Sequence, residues 1–333
     1  MRLSLVQTLE SAHEDSIWTA AWSPKEDVLV TGSVDESVKL WQAGGPALEQ
    51  QHQLLGVEVG AVSVAVDSLG EYGAVCSMDA VVNVWSQSDF GAMARLSRPP
   101  AEAWGCAFRP RSSSSDPVIL ALAGGNSSAV YVLTLASRGA GEPASEPQAS
   151  LTLGLGRERK AASAAEDEKR DAAPSEGPFA LSVACSPDGK ILACGSMDGG
   201  VTLFDLQAEK LLGSLSGHFK PVRGLAFTPD SKHLLTACDD QQVNMYDVTQ
   251  SAQVATFSGH ESWVLGVSVH PSGESFVSAC SDSKVRLFDL QARTLVQTVG
   301  EHKDQVWDVA FNGTGNRVAS VSDDSSICLW EYQ

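Results

Sequence analysis

Three histidines, His218, His260 and His302, stand 42 residues apart, and each is followed at a distance of 28 by an aromatic residue: Tyr246, Phe288 and Trp330. Six residues before each aromatic lies an acid (Asp240, Asp282, Asp324), and ten before it a hydroxyl (Thr236, Ser278, Ser320). The start of the chain repeats the set as His13, Thr31, Asp35 and Trp41. A unit of this length cannot bury its apolar face alone, so neighbouring units must stack. A period of ~40–45 residues built from short strands is that of a β-propeller blade. The expected fold is therefore all-β, and a propeller usually presents surfaces to partners and seldom performs chemistry.

Seven repeats end at Trp41, Trp85, Leu133, Phe204, Tyr246, Phe288 and Trp330, with successive intervals of 44, 48, 71, 42, 42 and 42 residues. Period-2 apolar runs such as Val28–Val30 and Val38–Trp41 alternate with turn residues, as strands in hairpins require. A single seven-bladed WD-repeat β-propeller over residues 1–333 follows. The interval of 71 contains an Ala-, Ser-, Gly-, Glu- and Pro-rich stretch from Ser137 to Gly177 with no aromatic residue. Within it Ala149–Leu155 reads as the outer strand of the third blade, and residues 156–177 read as a disordered loop between the third and fourth blades. Leu5–Leu9 (LVQTL) mirrors Leu295–Val299 (LVQTV), so the N-terminal strand is expected to complete the last blade and remove an open sheet edge.

The formal charge is −18, and setting aside 137–177, with six basic and eight acidic residues, leaves 17 basic against 33 acidic, or −16. No basic stripe offers itself to phosphates, so direct nucleic-acid binding is not expected and basic partner segments are. No apolar run reaches the ~20 residues of a membrane span, and the first residues lack a signal-peptide core, which predicts a soluble intracellular protein. The seven cysteines contain no Cys-x-x-Cys pair and read as small buried residues in a reducing compartment; neither a metal nor a cofactor is expected.

A His, a hydroxyl and an Asp invite comparison with a hydrolase triad. Fourfold repetition around a ring argues for structure instead: the His links the acid of a hairpin turn to the hydroxyl and the aromatic, fixing register with satisfied polar groups. His and hydroxyl are absent together from repeats two to four, where Val57 and Val75 stand in the second. No nucleophile elbow, zincin motif, P-loop or dinucleotide fingerprint is present, so an enzyme is not expected.

The binding candidates lie five residues after each His or its equivalent, where the innermost strand begins at the mouth of the channel: Trp18, Val62, Trp104, Leu181, Arg223, Leu265 and Trp307. Residues just before the acids share that face: Val34, Met78, Asn126, Met197, Asp239, Ser281 and Asp323, with Trp263 nearby. Trp, Met and Arg are the residues that interfaces concentrate at their centres.

The runs His13–Trp22 (HEDSIWTAAW), Ala103–Phe108 (AWGCAF), Ser186–Lys190 (SPDGK) with Gly195–Gly199 (GSMDG), Gly259–Leu265 (GHESWVL) and His302–Trp307 (HKDQVW) resemble the superkiller WD-repeat subunit family. That family is also known as a component of the RNA polymerase II-associated factor complex. The resemblance covers all seven repeats except the Ala-rich loop. It implies a scaffold of cytoplasm and nucleus that joins a tetratricopeptide protein and an RNA helicase feeding mRNA to the exosome, and that also serves transcription elongation. Fungal members hold a Gln-Arg-x-x-hydrophobic motif on the propeller top. Carried onto this chain, Trp18, Trp104, Trp263 and Trp307 form the anchor wall, and Asp15, Asp239 and Asp304 are the candidates to meet the arginine. The competing reading, a substrate receptor of a cullin-type ubiquitin ligase, expects Arg two residues after the repeat's last acid, where Gln207, Thr249 and Gln291 stand.

Overall fold

The computed structural model describes all residues except 26, 46, 56, 97–103, 125–127, 136–148 and 156–176. The loop expected over 156–177 therefore lies outside the described residues apart from Gly177, and so does Asn126. The described chain forms seven four-stranded antiparallel sheets arranged as a β-propeller. The innermost strands are Ile17–Trp22, Ala61–Val66, Cys106–Phe108, Ala180–Cys185, Val222–Phe227, Val264–Val269 and Val306–Phe311. They meet in a ring, the last against the first. Ala149–Gly154 is the outer strand of the third blade, paired with Ala129–Leu135.

Burial follows position in the blade. The second strand is the most buried, from end to end in Val28–Ser33, whereas the outermost Thr294–Val299 is largely exposed. Among the described residues, apolar side chains gather in seven clusters, each shared by two adjacent blades. Ala319, Val321, Ile327 and Leu329 of the seventh blade pack on Ile17, Leu29 and Trp41 of the first. No blade has a core of its own, which is why the repeat must close.

Closure works as the mirrored strands suggest. Leu3–Leu9 pairs with Ile327–Tyr332, and Arg2 and Gln333 exchange backbone hydrogen bonds of 2.8 and 3.0 Å. The mirrored glutamines act alike. Gln297 clamps the Leu3 backbone, accepting from its N–H at 2.7 Å and donating to its carbonyl at 3.0 Å, while Gln7 accepts from the Leu48 N–H at 2.7 Å. Each therefore ties an outer strand to the following blade.

A second set of ties runs around the channel, one residue beyond the candidate ring. Asp308 accepts the Ala20 N–H (3.0 Å), Thr19 accepts that of Val64 (3.0 Å), and Ser63 accepts that of Cys106 (3.2 Å). Between the fifth and sixth blades the position is Gly224, where a Cβ would stand 3.2 Å from the Leu265 carbonyl. The seams are thus either latched by a side chain or closed by backbone contact.

Candidate docking mouth on the channel face

All seven ring residues line one cavity of about 500 Å³ at the channel, together with Asp308 and the inner-strand backbone. The ring is convergent because each innermost strand enters at the same height. Trp18 and Trp307, from the first and last blades, lie with ring centroids 5.2 Å apart and planes tilted by 37°. Both indole N–H groups donate to one oxygen of Asp323, at 3.3 and 2.7 Å, and Gln305 donates to the other at 3.3 Å. The acid satisfies the polar edges of both indoles and leaves half-buried apolar faces toward the cavity.

Across the mouth Arg223 makes a bidentate pair with Asp239 at 2.7 and 2.9 Å, and its guanidinium lies 5.7 Å from the Trp263 ring centre. Trp263 is 46 % exposed and stands outside the cavity lining. Trp104 meets Phe179 edge-on at 6.0 Å. Met78 and Met197 are exposed on the neighbouring turns, Met197 donating its N–H to the Phe179 carbonyl.

The three acids expected to meet a partner arginine separate into two kinds. Asp239 is buried and held by the chain's own Arg223, so it is not open to a second cation. Asp15 and Asp304 are exposed, each three residues before a tryptophan of the pair, and each caps the backbone N–H of the following residue at 2.7 Å.

The histidine sets are internal. In the first blade Trp41 donates to Thr31, whose hydroxyl lies 2.8 Å from His13 Nε2, and His13 Nδ1 lies 2.8 Å from Asp35. With a neutral imidazole every proton in this chain has an acceptor. The same contacts recur in the last blade among Trp330, Ser320, His302 and Asp324. In the fifth, His218 reaches Asp240 at 2.6 Å and Thr236 at 2.7 Å, while the Tyr246 hydroxyl accepts from Asn244.

The sixth blade departs from the expected pattern. His260 keeps Ser278 at 2.7 Å, but Asp282 is taken by both terminal nitrogens of Arg286, and His260 Nδ1 is left without a partner. A buried guanidinium outcompetes a neutral imidazole for a carboxylate because only it brings a charge.

Three of these histidines are shifted, by burial and by the groups beside them. Burial, with Lys39 as a lesser contributor, lowers His13 to about 4; burial followed by the charge of Arg286 lowers His260 to about 4. At His302 burial opposes the charge, but the hydrogen bond to Asp324 and the neighbouring Cys328 outweigh it and raise the pKa to about 9.

His218, Cys238 and Asp240 bring three possible metal-donor atoms within 4.8 Å of one another. The repeat itself accounts for the grouping. Cys238 donates to the Lys220 carbonyl at 3.2 Å, just as Ser33 and Ser322 at the same repeat position donate to Ser16 and Asp304.

The WD domain, G-beta repeat pattern matches residues 3–42, 175–205, 209–247, 251–289 and 293–331, more than half of the chain. The chain belongs to the WD-repeat family. Two WD-repeat relatives are similar over most of its length. "WD repeat-containing protein VIP3" of Arabidopsis thaliana is 40% identical over 231 residues, covering 68% of this chain and 65% of that protein. "WD repeat-containing protein SL1-17" of Schistosoma mansoni is 28% identical over 222 residues, covering 66% and 62%. The chain thus spans slightly less than two thirds of the length of each. The pattern passes over the second and third WD repeats, which lack the histidine and its hydroxyl.

Two aromatic residues beside candidate positions were not singled out from the sequence: Phe179 meets Trp104, and the Phe219 backbone lies against Gly199 of the Met197 turn. Phe179 precedes the ring position by two, and Phe219, 74 % exposed, directly follows His218. The other residues after a histidine are Glu14, Glu261 and Lys303, so an aromatic among charges was the available signal.

Proposed function

We propose that this WD-repeat propeller is a non-catalytic docking scaffold of the superkiller assembly, holding the tetratricopeptide protein and the RNA helicase that deliver mRNA to the exosome. We further propose service in the RNA polymerase II-associated elongation complex, with residence in both cytoplasm and nucleus. The reading rests on the family resemblance of the repeats. The observation that carries it is the Trp18–Trp307 pair clasped by Asp323. Two large aromatic faces are pre-positioned at an open mouth with their polar edges already satisfied, so a partner's apolar side chain docks with little ordering cost. Asp15 and Asp304, exposed beside that pair, are the acids for a partner arginine.

The test is a pull-down of the tetratricopeptide partner with the Trp18→Ala/Trp104→Ala protein, its fold checked by circular dichroism. Loss of capture with the fold intact is expected, and retained capture would remove the mouth from the interface. Exchanging Asp15 and Asp304 for Lys should weaken capture at low salt while leaving the aromatic contribution in place.

A further inference from the structure

The ring residues sit on bulges, so the residue after each is the first to rejoin the ladder: the register shifts between Ile17 and Thr19, Ala61 and Ser63, and Val306 and Asp308. Around the blades this position carries a hydroxyl at Thr19, Ser63 and Ser182, no side chain at Gly105, Gly224 and Gly266, and in the seventh blade an acid, Asp308. A hydroxyl is enough for the seam. Thr19 and Ser63 accept the next blade's N–H at 3.0 and 3.2 Å, and Asp308 accepts that of Ala20 no more closely, at 3.0 Å. The latch therefore leaves the charge of Asp308 unexplained.

The cavity supplies the missing account. Asp308 and Trp307, consecutive in sequence, both line it, as a bulge permits. Among the described residues the hydrogen bonds of the carboxylate come from backbone alone, from Ala20 and, at 2.8 Å, from Val309. The other charged side chain of the lining, Arg223, is taken by Asp239. The cavity thus holds one carboxylate without a countercharge. Burial raises its pKa to about 7 against those backbone bonds, as for an acid with no cation beside it. Each oxygen accepts one N–H and keeps a second lone pair for a further donor.

We propose that the channel binds a primary alkylammonium group, with Asp308 as its anion and the faces of Trp18 and Trp307 beside it. The walls select this class. Val62, Leu181, Leu265 and the indoles suit a cation carried on a hydrocarbon stem, and the indole faces add cation–π attraction. A divalent metal ion is a poorer fit, because it wants about six oxygen ligands and the lining brings one carboxylate and three hydroxyls. The volume, about 500 Å³, is within the ~300–1,000 Å³ of small-ligand pockets. The same chemistry is presented by a free polyamine and by a lysine side chain entering from the mouth. The site lies below the mouth and does not depend on the docking proposal.

The isotope-labelled full chain is titrated with n-butylamine and with n-butanol while the indole N–H resonances of Trp18 and Trp307 are followed. Saturable shifts with the amine are expected, with the alcohol binding at least about tenfold more weakly, the scale of a lost charge-assisted hydrogen bond. Asp308→Asn, which keeps an oxygen for the Ala20 N–H, should reduce the amine to the level of the alcohol. Spermidine and an end-capped Gly-Lys-Gly peptide then separate the sources: saturation by the first marks a free polyamine, and by the second a protein lysine. Equal binding of amine and alcohol, amine binding unchanged in Asp308→Asn, saturation by neither spermidine nor the peptide, or displacement of the amine by equimolar magnesium would overturn the proposal. The comparison of amine with alcohol needs only the wild-type protein, so it decides even where the variant does not fold.

Discussion

At the scale of single residues, the mouth depends on Asp323 more than on any one tryptophan, since one carboxylate oxygen serves two indoles from blades at opposite ends of the chain. Asp323→Ala should leave both N–H groups competing for water and loosen the pair. Partner affinity is expected to fall roughly tenfold or more, the scale of losing two charge-assisted hydrogen bonds that position a hot spot. Titration calorimetry reads that change, and near-ultraviolet circular dichroism reads the altered tryptophan packing. Arg286 offers a second test. Replacing it with Met releases Asp282 to His260 and removes a neighbouring cation, so the pKa of His260 should rise from about 4. Histidine nitrogen shifts followed through a pH titration measure this directly, and an unmoved His260 would refute the capture argument.

The same histidines set an acid limit. His13 and His260 stand at about 4 when folded, against 6.5 for a free side chain. The unfolded chain therefore takes up these protons first, and stability falls as the pH drops from about 6.5 toward 4. Each site withdraws of order 3 kcal/mol across that window. Denaturant melts at pH 7 and pH 4.5 should show the loss, and His13→Gln should remove part of its pH dependence.

At the scale of strands and blades, closure is a property of two ends meeting. Deleting residues 1–10 exposes the edge of Ile327–Tyr332 and removes the Gln7 and Gln297 clamps, so the melting temperature should drop sharply in differential scanning calorimetry. An unchanged transition would contradict the closure argument. This pairing was legible in advance because the two LVQT segments occupy the same place in their repeats, and a period of 42 leaves a propeller little freedom. The candidate ring was legible for the same reason, since one offset places all seven residues at one height. The capture of Asp282 was not. Arg286 stands at a fixed repeat position like Lys39, yet whether a cation turns toward the acid or toward a carbonyl, as Lys39 does to Ala12, depends on packing that no offset encodes. The Asp323 clasp was equally hidden, because Trp18 meets an acid 305 positions away only once the ring has closed.

At the scale of the whole molecule, charge and aromatic surface should act on different steps of binding. A body of −16 attracts a basic segment over distances comparable to the Debye length, about 10 Å at 0.1 M salt, and so bears on encounter. The tryptophans act only at contact, where they bear on residence. Raising salt from 50 to 500 mM should therefore slow association with the proposed tetratricopeptide partner by about tenfold or more, with little change in dissociation. Trp18→Ala/Trp104→Ala should instead accelerate dissociation about thirtyfold or more, the scale of losing ~2 kcal/mol at a hot spot, and leave the salt dependence intact. Surface plasmon resonance separates the two rates. A double variant that slowed association without changing dissociation would place these tryptophans outside the contact and leave only charge to account for docking.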